Sequence, residues 1–230
     1  MNKYLVLITF LFVSWDGSSA PTQKDFVVKI KTPQGTMYAI LYDQTPLHKA
    51  NFLKLAQKKF YNGLLFHRVI PNFMIQGGDP KSRTAKKGAS LGDDELDYKI
   101  PAEIHRSLFH QKGALAAARD NNPKKESSAS QFYIVQGKPL SDAEFNQYKN
   151  LQLTKEQREV YKKIGGSPHL DGGYTVFGQV IEGLSTIDKI ASQPRDQRDQ
   201  PAKDVRMKVS IKKMTRTKIS KKYGYSFALN

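Results

Sequence analysis

Apolar residues alternate with polar ones in several short runs and follow helical spacing in only a few, and this pattern divides the chain. Asp25–Ile30 and Gly35–Tyr42 read as two strands, with Thr32-Pro33-Gln34-Gly35 as the turn of a hairpin. Thr45 and Pro46 read as the cap and first residue of a helix. Its apolar positions are Ala50, Phe52, Leu53, Leu55, Ala56 and Phe60, and Tyr61-Asn62-Gly63 ends it. The stretch Phe66–Asp79 alternates in two halves split by Pro71, which predicts a pair of strands. Phe66, Arg68 and Ile70 share one side of the first. Phe73 and Ile75 oppose Met74 and Gln76 on the second, and Gly77-Gly78-Asp79 is a turn. His67 points inward by the same alternation and reads as structural.

Beyond it, Lys81–Tyr98 is unpatterned and reads as a long surface loop with a solvated acidic run, Asp93-Asp94-Glu95. The small residues of Lys112–Arg119 are compatible with a short helix or with a strand that something approaches closely. Gln131–Gln136 is a clear strand. Ser141 with Glu144, and Thr154 with Gln157, are capping-box signatures ahead of Phe145, Tyr148 and Leu151 and of Val160, Tyr161 and Ile164. They predict two short helices over 141–164, an insertion in a chain otherwise rich in strands. Tyr174–Val180 reads as a strand, Glu182–Ile190 as a helix, Gln193–Lys203 as a linker and Val205–Met214 as a last strand. The fold class is therefore mainly β, in one domain of ordinary size.

Composition narrows the chemistry. No cysteine is present, which excludes disulfides, thiol catalysis and cysteine metal sites, and the five histidines lack metal-ligand spacing. Neither a metal nor a cofactor is expected. Lys3, the apolar run Tyr4–Val13 and Ser18-Ser19-Ala20 before Pro21 have the form of a secretory signal over residues 1–20. The mature chain is then exported, to a periplasm or the outside of the cell. The net charge of +16 favours anionic contacts, but export makes nucleic acid a poor partner. Nine Lys and Arg against the single Asp204 fall between Lys203 and Asn230. Residues 215–230 accordingly read as a solvated basic tail, able to touch anionic surfaces weakly.

Four ordered blocks resemble one family. Phe66-His67-Arg68-Val69-Ile70-Pro71-Asn72-Phe73-Met74-Ile75-Gln76-Gly77-Gly78-Asp79 resembles the signature of the cyclophilins, the peptidyl-prolyl cis/trans isomerases. Gly113–Arg119, Ser130-Gln131-Phe132-Tyr133-Ile134, and Leu170-Asp171-Gly172 followed by Val176-Phe177-Gly178 resemble three more of its blocks in order. The resemblance runs over about 26–214, with 141–164 as an extra, and implies a domain over 25–214. It implies a closed antiparallel eight-stranded barrel capped by two helices, with the binding groove outside.

It also implies site residues. Arg68 and Gln76 would be catalytic, Arg68 stabilising a twisted prolyl amide and Gln76 orienting the arginine or holding the substrate backbone. Phe73, Met74, Phe132 and Leu170 would form the proline pocket with Tyr133 and Tyr174. Ala118, Arg119 and Gln131 would hold the peptide in extended form. Implied partners are proline-containing unfolded or nascent exported polypeptides, and a monomer is expected. A rival reading is a proline-peptide-binding chaperone with little turnover. The chain departs from many members at His169, where a tryptophan contributes to cyclosporin binding, at Tyr174, where histidine is frequent, and at Arg119, where several have asparagine.

Overall fold

The computed structural model describes residues 23–86, 88–93 and 96–227. The expected signal over 1–20 and residues 94 and 95 of the acidic run lie outside them. In chain order the elements are β1 (Lys24–Thr32), β2 (Gly35–Leu41), α1 (Pro46–Gln57), β3 (Phe66–Ile70), β4 (Met74–Gly77), β5 (Lys99–Ile100), β6 (Ala114–Ala117), β7 (Ser127–Ser128) and β8 (Phe132–Val135). They continue with α2 (Lys155–Ile164), β9 (Val176–Glu182), α3 (Leu184–Ala191), β10 (Lys208–Thr215) and α4 (Arg216–Tyr223). The small-residue run thus resolves as a strand, β6. The short pair β5–β7 was not anticipated.

Eight strands form one antiparallel sheet in the order β10-β1-β2-β9-β6-β8-β4-β3. The expected closed barrel is not what forms. The end strands β3 and β10 do not pair, and the sheet is a curled, open half-barrel. Its seam is spanned by a bridge between Leu65 and Arg206 and by backbone bonds such as Phe66 N–H to Val205 O (2.9 Å) and Met207 N–H to Leu64 O (2.8 Å). Farther along β3, the Val69 amide donates to Asp199 O (2.8 Å), in the segment before β10. A loop therefore occupies the edge where a strand would have closed the ladder, and it satisfies a donor left there.

The concave side holds the core. Phe66, Val69, Ile75, Leu115, Phe132, Ile134 and Phe177 point into it from the strands, and Phe52, Leu55, Ile187 and Ile190 from α1 and α3. Phe132 stands edge-on to Phe52 (ring centroids 5.6 Å), Tyr61 (5.5 Å) and Phe66 (6.0 Å), a geometry aromatic quadrupoles favour.

Helix α1 departs from its expected cap. Thr45 makes no side-chain cap bond. Instead the Glu103 carboxylate accepts from Leu47 N–H (2.9 Å) and His48 N–H (3.0 Å), placing an anion at the positive helix end. It also meets His48 Nδ1 at 2.6 Å. Helix α2 is capped as expected: Thr154 accepts from the Gln157 amide (3.2 Å), and Gln157 reaches back to the Thr154 amide (3.0 Å). The first half of the insertion is a 3-10 segment, Glu144–Leu151, whose Glu144 accepts from Ser141 N–H and Oγ (both 2.8 Å).

The expected solvated tail is in part a helix. Residue Ile219 of α4 is fully buried against Val27 and Ile40, and Arg216 pairs with Asp25 and Asp43. Eight residues with Ile219 as the one buried position are too short for a periodic signal in sequence.

Candidate functional site

Two irregularities in β3–β4 build the site. The β3–β4 register shifts between Phe66 and Arg68, a bulge that puts one extra residue, His67, on β3. The shift separates residues that plain alternation had put on one face: Phe66 enters the core while Arg68 and Ile70 turn outward. The second irregularity is the turn after Pro71. Asn72 has φ 61°, and its amide donates to Gln136 Oε1 (2.6 Å). This left-handed residue frees Phe73 from the alternation of β4, so Phe73 and Met74 both reach the outer face while Ile75 fills the core.

A cavity of about 210 Å³ results on that outer face. Arg68, Phe73, Met74, Gln76, Ala118, Arg119, Tyr133, Leu170 and Tyr174 line it. Each is a site residue expected from the sequence, and they come from β3–β4, the segment after β6, β8 and the turn before β9. Met74 and Tyr133 are buried, whereas the Arg68 side chain is 43% exposed, so an apolar recess lies beside an accessible guanidinium.

Arg68 and Gln76 are cross-strand partners in the ladder. The Gln76 amide donates to Gln131 Oε1 (3.1 Å), and Gln131 Nε2 donates to Gly92 O (2.8 Å). Gln131 is itself buried and does not line the cavity; it reaches the site through Gln76. Arg119 donates to Gly173 O (3.0 Å) and Asp120 O (2.8 Å), and its guanidinium lies 4.6 Å from the Tyr174 ring centroid. Tyr174 is thereby braced by a cation–π contact.

Phe132 is the correction. It faces the core with Ile134, whereas Tyr133 and Val135 face outward, as the period of a strand requires. It supports the site from behind and is absent from the cavity wall. His169 is exposed, its ring 5.2 Å from Phe73. Partial burial, with His110 nearby, lowers its pKa.

His67 is buried, as expected of a structural residue. Its Nδ1 has no hydrogen-bond partner, and burial depresses its pKa to about 4, so the ring is neutral near pH 7.

Two features escaped the sequence reading. Asp199, in the segment read as a linker, places Oδ2 3.7 Å from Arg68 Nε while its other oxygen accepts from Arg195 Nε (2.9 Å). It sits at φ 62°, and only the fold brings it to β3. His110 is fully buried and bonded to both Asp171 and Tyr133. The Asp171 of the Leu-Asp-Gly block was its one visible trace in the sequence. Among the described residues no cluster of His, Asp and Glu could hold a metal.

Comparison with known proteins agrees with this geometry. Residues 27–211 match the family model for cyclophilin type peptidyl-prolyl cis-trans isomerases. A protein of Staphylococcus saprophyticus that carries the peptidyl-prolyl cis-trans isomerase name is 35% identical over 175 residues, 76% of this chain and 85% of that protein. A Streptococcus pyogenes protein named as a bifunctional phosphatase and isomerase is 38% identical over 184 residues, and the chain spans just 37% of its length. The crystal structure of a Cryptosporidium parvum cyclophilin type isomerase superimposes with a TM-score of 0.60 at 25% identity, covering 83% of this chain and 98% of that one. Another crystal structure of that protein, in the presence of the dipeptide Ala-Pro, gives 0.59 at 25% identity and covers 81% of this chain and 98% of that one.

Proposed function

The chain belongs to the cyclophilin-type peptidyl-prolyl cis-trans isomerases, and from that membership we infer how and on what it acts: it turns over X–Pro bonds of exported polypeptides as they fold, with Arg68 as its electrostatic catalyst. The observation that carries the reading is the pairing of an accessible Arg68 with Gln76 at the edge of a recess walled by Phe73, Met74, Tyr133, Leu170 and Tyr174.

The chemistry needs no nucleophile. An X–Pro amide is nearly balanced between cis and trans, and resonance sets a barrier of ~18–20 kcal/mol. Twisting the bond ends that resonance and leaves a lone pair on the prolyl nitrogen. A guanidinium that donates to this lone pair binds the twisted amide more strongly than the planar one, which is the condition for acceleration. A gain of about four decades asks for roughly 5.5 kcal/mol of such selective binding. Phe73, Met74 and Leu170, with the Tyr133 and Tyr174 rings, would hold the pyrrolidine by apolar contact. Ala118 and Arg119 would flank the extended chain. Gln76, fastened by Gln131, would keep the approach to Arg68 fixed. Asp199 would hold the guanidinium without neutralising it, since one oxygen at 3.7 Å leaves its other nitrogens available.

Export rests on the sequence of residues 1–20 and places the mature chain in a periplasm or outside the cell, as a monomer. The lysines of β10 and α4 would there give it weak attraction to anionic surfaces. The rival, a peptide-binding chaperone with little turnover, shares the groove but has no use for a guanidinium beside the recess. A protease-coupled proline-peptide assay on Arg68→Ala separates the two. Loss of turnover with retained peptide binding is expected, and an isomerisation rate equal to that of the unmodified protein would refute the mechanism.

A further inference from the structure

A polar chain that the isomerisation chemistry does not use runs from the proline recess to the helical insertion. Its first member, Tyr133, lines the recess with its ring and turns its hydroxyl inward, 2.9 Å from His110 Nε2. His110 Nδ1 lies 2.8 Å from Asp171 Oδ1, which also accepts the His110 backbone N–H (2.9 Å). Asp171 Oδ2 accepts from the hydroxyl of Tyr161 (2.7 Å), a fully buried residue of α2.

The donors to Asp171 follow from elementary rules. A carboxylate only accepts, so both Tyr161 and His110 Nδ1 must donate to Asp171. His110 Nε2 and the Tyr133 hydroxyl share the remaining hydrogen bond of the chain. Burial raises both phenol pKa values well above the ordinary one, so both hydroxyls stay protonated. Three donors on one carboxylate also lock Asp171, the residue next to Leu170 of the recess. The insertion is anchored in turn: Tyr161 packs with Leu140 and Phe145, and its ring stands edge-on to Phe109 at 5.3 Å.

We propose that α2 is a positioning element for the proline recess, with Tyr161, through Asp171 and His110, setting the Tyr133 ring and the Leu170 side chain that grip the substrate. The insertion is thus a working part of the binding site rather than an addition to its outside. A phenylalanine at 133 would leave His110 Nε2 buried without a partner, so tyrosine there and the insertion's tyrosine belong together. The coupling rests on the recess being where the prolyl ring docks.

The test uses the full chain and a proline tetrapeptide. Tyr161→Phe removes one oxygen from a residue that does not line the cavity. It is expected to raise KM about three- to tenfold and leave kcat within about twofold, as loss of one buried hydrogen bond predicts. Tyr133→Phe should do the same. The double variant should be no worse than the weaker of the two singles, because both break one chain. Multiplying effects in the double variant, or a Tyr161→Phe that loses thermal stability at unchanged KM, would overturn the proposal. A second reading needs neither turnover nor variants. Peptide titration should shift the NMR signals of the His110 imidazole nitrogens and the Tyr161 ring together with Tyr133. Tyr133 shifting alone would overturn the coupling, and a peptide that moves no signal of the recess would instead overturn the docking site itself.

Discussion

Phe132 and Tyr133 are neighbours on β8 and inhabit different chemistries. Phe132 sits among the rings of Phe52, Tyr61 and Phe66 in the core, where its contribution is area removed from water. Tyr133 faces the recess, its hydroxyl tied to His110 and its ring edge-on to Tyr174 at 6.0 Å. The same strand therefore packs the core with one face and lines the cavity with the other. Activity and stability should separate by face rather than by position in the chain.

The sharpest way to break that division is Phe132→Ala. It should cost about 3–5 kcal/mol of stability, read by urea unfolding, because three aromatic neighbours lose their packing. The fraction still folded should keep the KM of the unmodified protein. A KM that rises instead would return Phe132 to the substrate site. Arg68→Ala is the mirror experiment. Its expected loss is about 10²–10³ in kcat/KM at unchanged melting temperature, since a half-exposed side chain carries little packing. A melting temperature that falls along with activity would show that the outer face is structural too.

His67 tests the core face by pH. Its folded pKa of about 4 is below the ordinary value of about 6.5, so the unfolded chain takes up the proton first as pH falls. Stability is full above about pH 6.5 and is lost between there and about pH 4. The loss is on the order of 3 kcal/mol for the whole window. In His67→Leu the unfolding free energy should be flatter over that interval, and an unchanged slope would assign the pH dependence to other groups. The smallest effect belongs to the cap of α1. Glu103→Ala should cost about 1–3 kcal/mol, because two helix amides and His48 lose their acceptor. Thr45→Ala should cost about 0.5 kcal/mol or less. If the two costs are reversed, the cap is local after all.

The two helix caps also show what could be read in advance. Thr154 and Gln157 cap α2 from within four residues, and the pattern was visible in the sequence. Glu103 caps α1 from more than 50 residues away, and no local pattern announces it. The site divides the same way. Arg68, Phe73, Met74 and Gln76 lie in one stretch and were legible together. Their directions were not, because the bulge at His67 and the left-handed Asn72 reset the alternation on which direction was judged. Phe132 was assigned to the recess through the resemblance alone, and the simple period of β8 would have sent it to the core.

By itself the sequence determined the strand-rich architecture, the family and nearly all of the recess, because these depend on periodicity and on residue types in fixed short blocks. Tertiary structure alone decided that the sheet stays open, with Asp199 meeting β3 where a strand would have closed it. It decided that the basic end folds back as α4 on the single buried Ile219, and that Tyr161 reaches Tyr133 through Asp171 and His110. Each of these is a contact between segments far apart in the chain. Such contacts are set by how the whole sheet curls, and no local spacing of residues encodes them.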